Sequence, residues 1–157
     1  MESESHKLKM SIWLWLSMMG QLKKRGGGRK ESGAFLLGNY GSNKVVEFIC
    51  FDDLDSECLT GMIEFSASGI VLLSDYCISK NLTVLADVHT HPGKWTNQSE
   101  TDKKNPMVCI SGHIAIIIPK FAQQKLQLLG GVGIFEYLGG SKWKKHKTSI
   151  LKLTYGY

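Results

Sequence analysis

Residues 88–102 read VHTHPGKWTNQSETD, and this stretch does most to decide the fold and its chemistry. It carries two histidines one residue apart, His89 and His91, at the end of the β-prone run NLTVLADVHTH. Side chains two positions apart on a strand project from the same face, so both imidazoles are expected to meet at one point. Pro92 then turns the chain into a polar loop. The geometry is that of paired metal ligands.

A third ligand is available in the same loop. Asp102 follows His91 by eleven residues, which is far enough for the loop to fold back and supply an oxygen. Two imidazoles and one carboxylate match the three protein ligands of catalytic zinc sites, where water takes the fourth tetrahedral position. Two histidines alone would more often serve a surface or a core, but the following proline and S-x-x-D pattern favour a metal site. We therefore predict one Zn²⁺ per chain, bound by His89, His91 and Asp102.

Length and composition indicate an ordinary globular protein of one domain. A chain of 157 residues with 43% apolar and 21% charged residues can bury a core without disulfides. The net charge of +5 lies in short scattered clusters, which usually form a solvated surface; an acidic protein or a nucleic acid is the alternative partner. No C-x-x-C spacing occurs, so we expect buried free thiols and a cytoplasmic location. The cysteines are Cys50, Cys58, Cys77 and Cys109.

The N-terminal run HKLKMSIWLWLSMMGQLKKR imitates a signal peptide or a membrane anchor. Its apolar part is too short to span a bilayer, and no small-x-small cleavage site follows. We expect instead a largely buried helix over about residues 8–22 and no membrane association. The residues expected to pack on a sheet are Trp13, Leu14, Leu16, Met18 and Leu22.

The remaining pattern predicts a single α/β or α+β domain over residues 1–157. Ser66 is a candidate N-cap for a helix over residues 67–80. Strands are expected at residues 34–38, 44–51, 60–65, 81–91, 107–119, 126–140 and 148–157. This order implies one mixed, mostly antiparallel sheet flanked by helices. The polar loop should project from the end of one of its strands.

The motif residues resemble a known family. HTHP, six residues and then SETD is similar to the JAMM motif of the JAB/MPN zinc metalloproteases. The family also has a glutamate at the glycine-rich start of a strand, and KESGAFLLG at residues 30–38 resembles that pattern, with Ala34 in place of a second glycine. The later runs MVCISGHIAIIIPKFA and GVGIFEYLGGSKW resemble strands of bacterial members. The resemblance thus covers essentially the whole chain and implies a single MPN/JAB domain, which is cytidine-deaminase-like.

The resemblance also implies catalytic roles. Glu31 would act as general base, taking a proton from water and delivering it to the leaving amine. Ser99 would donate a hydrogen bond to the oxyanion of the tetrahedral intermediate. Both residues also have a simpler interpretation. Glu31 could be a solvated loop charge, in which case Glu47 or Glu64 would be the general base. Ser99 could be a helix N-cap.

Two further residues close to the motif carry weaker expectations. His113 lies in an apolar strand, where a satisfied core histidine is a better interpretation than a fourth ligand. Trp95, in the loop, is expected either to contact substrate or to pack on the scaffold.

The implied activity is peptide or isopeptide hydrolysis after the Gly-Gly tail of a ubiquitin-like modifier, either in deconjugation or in precursor processing. Such a tail can lie along an exposed strand edge by β-augmentation. The chain resembles the deubiquitinase-like bacterial branch that is encoded beside E1- and E2-like enzymes in anti-phage operons. The expected partners are therefore the modifier, its conjugates and those E1/E2-like enzymes.

Three other functions remain open at this point. A processing peptidase for a sulfur-carrier protein would use the same zinc site. A non-catalytic MPN binding scaffold is possible in this family, although all five motif residues are present here. Nucleic-acid chemistry is disfavoured, because the deaminase signature H-x-E with P-C-x-x-C is absent, as are the further prolines of RadC-like loops.

Overall fold

The computed structural model describes residues 6–59 and 65–156 of the chain. In chain order the elements are β1 (Leu8–Ser11), α1 (Ile12–Gly26), β2 (Gly33–Gly38), β3 (Lys44–Val45), β4 (Glu47–Cys50), α2 (Phe51–Leu54), α3 (Ala67–Lys80), β5 (Thr83–Thr90), α4 (Glu100–Lys104), β6 (Ile114–Ile118), β7 (Gly133–Gly139), β8 (Lys142–His146) and β9 (Leu151–Thr154).

A six-stranded sheet carries the candidate site. Its strand order is β4-β2-β5-β6-β7-β8, and all neighbouring strands are antiparallel except β5 and β6, which are parallel. The predicted α/β fold class, with a mixed and mostly antiparallel sheet flanked by helices, is confirmed. β5 lies inside the sheet, so its C-terminal end is supported on both sides: His89 is in register with Gly33 of β2 and Ile117 of β6.

A second sheet joins the two ends of the described chain. It has the order β3-β1-β9, and both pairings are parallel. We expected residues 148–157 to complete the main sheet, and this was wrong. β9 pairs with β1 instead, and its Leu151 is buried in the same core as Leu8 and Met10.

The first helix is displaced from its predicted range of about residues 8–22. Residues Leu8–Ser11 form β1, and α1 runs from Ile12 to Gly26. Ser11 has an extended backbone and caps the helix, its hydroxyl accepting the Trp13 N–H at 3.2 Å. Alternation explains the strand, because Leu8 and Met10 are buried while Lys9 is exposed.

α1 packs on one face of the main sheet through Trp15, Met18 and Leu22, which are fully buried. The Trp15 indole N–H donates to the Gln127 carbonyl oxygen at 2.8 Å. Trp13, which we expected to pack on a sheet, is 56% exposed, because it lies on the opposite side of the helix from this face. Among the described helices, none has the length and apolar character needed to cross a membrane.

α3 has the bounds that the sequence predicts, residues 67–80. The Ser66 hydroxyl accepts the Gly69 N–H at 3.1 Å as the N-cap, and Asn81 ends the helix in a left-handed conformation with φ 54°. The helix buries Leu73 and Cys77 in a second core on the other face of the sheet. The main sheet is therefore covered on both faces.

Other strand predictions need correction. Residues 107–113 form turns, and the strand expected at residues 107–119 is only Ile114–Ile118. For this reason Cys109 is exposed, whereas Cys50, Cys58 and Cys77 are buried free thiols as expected. β8 was missed, because its lysines read as a charged surface cluster. The strand expected at residues 60–65 lies outside the described residues, except for Phe65.

Candidate metal site

The donor groups of three residues meet where β5 ends. His89 Nε2 lies 3.2 Å from His91 Nε2. Asp102 completes the triangle, with Oδ2 3.1 Å from His91 Nε2 and Oδ1 3.5 Å from His89 Nε2. Both imidazoles are buried, and the carboxylate is partly exposed. The structure thus brings together the three residues that the sequence singled out as ligands.

These distances fit a small divalent cation. Ligand atoms at about 2.0–2.1 Å from a tetrahedral Zn²⁺ are about 3.3 Å from one another. The three observed separations, two of which end on different oxygens of Asp102, lie on either side of that value. Two imidazole nitrogens and one carboxylate oxygen are a donor set that transition metals of this kind prefer. His89, His91 and Asp102 could therefore hold a metal ion.

Trp95 orients the His91 ring from the side opposite the other donor atoms. His91 Nδ1 lies 3.2 Å from the Trp95 carbonyl oxygen, to which it can donate, so that Nε2 keeps a lone pair facing the other donors. The Trp95 ring stacks on the imidazole, with 5.7 Å between ring centroids and 18° between planes. Trp95 is also 56% exposed, so it packs on the scaffold and still faces the solvent side of the site.

A capping box positions Asp102. The Ser99 hydroxyl accepts the Asp102 N–H at 3.0 Å, and Asp102 Oδ2 accepts the Ser99 N–H at 2.9 Å. The expectation that Ser99 caps the helix ETDKK is confirmed, since α4 begins at the next residue. The cap leaves the hydroxyl hydrogen of Ser99 available for another acceptor.

A left-handed turn after β6 clamps the loop. Lys120, Phe121 and Ala122 have φ values of 56°, 53° and 57°. The Lys120 N–H donates to the Gly93 carbonyl oxygen at 2.9 Å, and the Phe121 N–H donates to the His91 carbonyl oxygen at 2.8 Å. A non-glycine residue in this conformation costs about 1–2 kcal/mol. The strain therefore coincides with the hydrogen bonds that hold the candidate metal loop, residues 91–102, in place.

Glu31 lies just before β2, on the wall of the same cavity as the three donors. Burial raises the pKa of its carboxyl group above the ordinary value, although the nearby histidines partly oppose this. Its neighbour Ser32 is fixed by the Thr90 hydroxyl, which accepts the Ser32 N–H at 3.0 Å. The following Gly33 is required, because an added Cβ would lie 2.2 Å from the Phe51 ring.

Of the two rival glutamates, the structure describes Glu47, and Glu47 does not replace Glu31. Glu47 forms an ion pair with Lys80 at 3.1 Å and a hydrogen bond with Tyr76, away from the cavity wall. Glu64 lies outside the described residues. The departure from the family pattern at Ala34 is accommodated, since this residue is fully buried in the core.

The cavity has a volume of about 280 Å³ and holds more than the predicted residues. Ser99 lines it beside the three donors, and the aromatic rings of Phe51, Trp95 and Trp143 form part of its apolar wall. Gln98 lines it too and is only 5% exposed. Sequence reasoning did not select Gln98, because an amide in a polar loop carries no signal of its own.

The donors strongly shift one another's protonation. Burial disfavours a charged His89 ring, but Asp102 and Asp87 outweigh burial and raise the pKa of His89 to about 10. Burial likewise opposes ionisation of Asp102, yet His89 and His91 hold the Asp102 pKa far below its ordinary value. The site therefore favours positive charge between the two rings, which a divalent cation supplies in place of protons.

His113 and Asp87 form a buried pair next to this centre. His113 Nε2 lies 2.6 Å from Asp87 Oδ1, so the expectation of a satisfied buried histidine is met. Burial alone would raise the Asp87 pKa, but His113 and His89 hold it below the ordinary value. Sequence reasoning missed Asp87, although it stands two residues before His89 and therefore shares its face of β5.

Known structures share this fold. No protein-family model matches the sequence. A protein from Desulfitobacterium hafniense has a solution structure that superposes with a TM-score of 0.64 at 14% identity, over 94% of this chain and 92% of the other. A protein from Salinibacter ruber gives 0.60 at 16% identity, over 94% and 92%. The crystal structure of a JAB1/MPN domain protein from Archaeoglobus fulgidus gives 0.53 at 17% identity, over 97% and 100%. At such identities the likeness establishes the fold, which is of the MPN/JAB type.

Proposed function

We propose that this protein is a JAMM-type zinc peptidase that cleaves after the C-terminal tail of a ubiquitin-like modifier. One observation carries the proposal: the donor atoms of His89, His91 and Asp102 lie 3.1–3.5 Å apart on the wall of a cavity that also contains Glu31. An MPN/JAB-type fold around this constellation supports the same reaction class.

Zinc would supply Lewis acidity toward a substrate carbonyl oxygen and make water a stronger acid. The residues of the chain would then handle protons and charge. Glu31, whose carboxyl pKa is raised by burial, accepts a proton from the attacking water and returns it to the leaving amine nitrogen. Ser99 donates its free hydroxyl hydrogen to the carbonyl oxygen, where negative charge develops.

The size of the cavity favours a substrate without bulky side chains. A volume of about 280 Å³ admits an extended main chain more readily than bulky side chains. Trp95 and Trp143 stand on its wall, where they can flank such a chain. A Gly-Gly tail meets this requirement. The exposed lysines of β8, Lys142 and Lys144, lie on the strand that contains Trp143 and favour an acidic partner.

The cellular setting is part of the proposal. The resemblance of the motif and later strands to the bacterial branch supports a role in a cytoplasmic ubiquitin-like conjugation system with E1- and E2-like enzymes, of the anti-phage type. A processing peptidase for a sulfur-carrier protein shares every residue of this site, so only the substrate separates the two. A non-catalytic scaffold would have no use for Glu31 beside the metal ligands.

Cleavage of a panel of fusions tests the proposal. Each fusion carries a ubiquitin-like or sulfur-carrier protein with a Gly-Gly tail ahead of a reporter. The zinc-loaded protein is compared with Glu31→Gln and with the matched control Glu47→Gln, which changes a glutamate away from the cavity. We expect wild type and control to cut at the tail and Glu31→Gln to hold zinc without cutting.

The other outcomes are informative. Cleavage of sulfur-carrier fusions alone would favour the processing peptidase. Zinc binding without cleavage of any fusion would contradict the peptidase and favour the scaffold. Loss of activity in Glu47→Gln but not in Glu31→Gln would overturn the assignment of the general base.

A further inference from the structure

A buried acid lies directly behind one of the metal ligands. Asp87 is 2% exposed and His113 is 6% exposed. His113 Nε2 and Asp87 Oδ1 are 2.6 Å apart, and the other carboxylate oxygen, Oδ2, lies 4.0 Å from His89 Nδ1. His113, Asp87 and His89 therefore follow one another in a row. The row ends at His89 Nδ1, the ring nitrogen that faces away from the candidate metal position.

The strand register brings these residues together. Asp87 and His89 share one face of β5, and Asp87 is in register with Ala115 on the parallel strand β6. His113 stands two residues before Ala115 and so faces the same side. Since Ala115 has only a methyl group, the His113 ring and the Asp87 carboxylate can meet diagonally between the strands.

The backbone holds the His113 end of the row. The His113 N–H donates to the Ile110 carbonyl oxygen at 3.0 Å, and the His113 carbonyl oxygen accepts the Tyr137 N–H at 2.9 Å. A carboxylate only accepts hydrogen bonds, so His113 Nε2–H is the donor to Asp87. The short contact is a charge-assisted bond, which fixes the carboxylate in place.

This arrangement is unfavourable for packing alone. Desolvating a carboxylate is costly and must be offset by its partners, and replacing a buried ion pair by apolar side chains of similar volume is often neutral or stabilising. Where a sequence places a charged residue at a position that an apolar residue could fill, a nearby functional site is the usual reason. At Asp87 the nearby function is the orientation of His89.

We propose that Asp87 and His113 are positioning residues for the metal ligand His89. His113 fixes Asp87, and the negative charge of Asp87 draws the His89 proton to Nδ1, so that Nε2 presents its lone pair to the cation. At 4.0 Å the attraction between Asp87 and His89 is electrostatic rather than a hydrogen bond. His91 has an equivalent acceptor in the Trp95 carbonyl oxygen at 3.2 Å. The inference rests on the proposed metal site.

Metal affinity tests this without measuring activity. Zn²⁺ affinity is measured by chelator competition, and the ligand field is read from the visible absorption of the Co²⁺ form. The variants are Asp87→Asn, which keeps an acceptor for His113 but removes the charge, and His113→Gln. The matched control is His146→Gln, which breaks the similar His146–Glu136 pair, at 2.8 Å on β7 and β8, away from the cavity.

We expect Asp87→Asn and His113→Gln to bind Zn²⁺ about 10- to 100-fold more weakly, with an altered Co²⁺ spectrum, and the control to match wild type. Thermal unfolding of the metal-free proteins shows whether each variant folds.

The two hypotheses fail in different ways. Wild-type binding with equally tight binding by Asp87→Asn would overturn the positioning role and leave the proposed function intact. A lower melting temperature of Asp87→Asn with unchanged affinity would make the pair purely structural. Absence of metal binding by wild type would refute the proposed function, and the positioning role with it.

Discussion

A single methyl group at Gly133 should disturb the candidate metal loop. An added Cβ there would lie 2.1 Å from the Thr96 carbonyl oxygen, a backbone atom that cannot rotate away as a side chain could. Ordinary contact needs about 3.4 Å, so Thr96 must retreat by about 1.3 Å. Thr96 lies between His91 and Asp102 and is tied to Gly131 by a hydrogen bond of 2.8 Å. The displacement therefore reaches the loop that supplies Asp102.

The expected magnitude follows from this displacement. Overpacking costs about 1–3 kcal/mol of stability. A site tolerates about 0.5 Å of misplacement, so a shift of more than twice that amount should weaken Zn²⁺ binding by at least about 10-fold. Gly133→Ala is compared with Gly130→Ala, since an added Cβ at Gly130 has no atom within 4 Å.

Calorimetric unfolding and chelator competition measure the two effects. We expect Gly130→Ala to match wild type in both, and Gly133→Ala to be less stable and to bind zinc more weakly. Equal melting temperatures and equal affinities for the two variants would refute the reasoning, because the loop would then not depend on close contact with β7.

Three further predictions follow from local geometry. Lys120→Gly should raise the free energy of unfolding by about 1 kcal/mol, since it relieves a left-handed residue with φ 56°; a lower melting temperature would contradict this. Ser99→Ala should lose about 1 kcal/mol with its cap, and kcat should fall more than zinc affinity; unchanged kcat would remove Ser99 from the mechanism. The Asp55 carboxylate accepts hydrogen bonds from Ser66, and these lower the Asp55 pKa below its ordinary value of 3.8. The ionised carboxylate therefore stabilises the fold, and this contribution should disappear as the pH falls below 3.8. Asp55→Asn should flatten this acid limb in pH-dependent unfolding, and an unchanged limb would contradict it.

Local signals explain what the sequence predicts well. The helix at residues 67–80 has the predicted bounds, because the residues that start and stop it, Ser66 and Asn81, are its immediate neighbours in the sequence. Convergence of His89 and His91 follows from alternation along one strand. Asp102 is fixed by a capping box with Ser99, which also lies within a few residues.

Non-local pairing explains what was missed. Residues 8–11 form a strand that pairs with residues 44–45 on one side and with residues 151–154, from the other end of the chain, on the other side. β8 contains three lysines and is a strand because it pairs with β7 and packs Trp143 on Tyr137. Asp87 is paired with His113, which lies just before the neighbouring strand β6 and 26 residues away in sequence. Such partners have no signature in the local sequence.

The central claim is that His89, His91 and Asp102 hold one zinc ion. Anomalous diffraction at the zinc absorption edge from crystals of the zinc-loaded protein tests this most directly. We expect one strong peak about 2.0–2.1 Å from His89 Nε2 and from His91 Nε2, with an Asp102 oxygen at about 2.0–2.2 Å. A peak elsewhere, or none between these side chains in fully loaded protein, would contradict it.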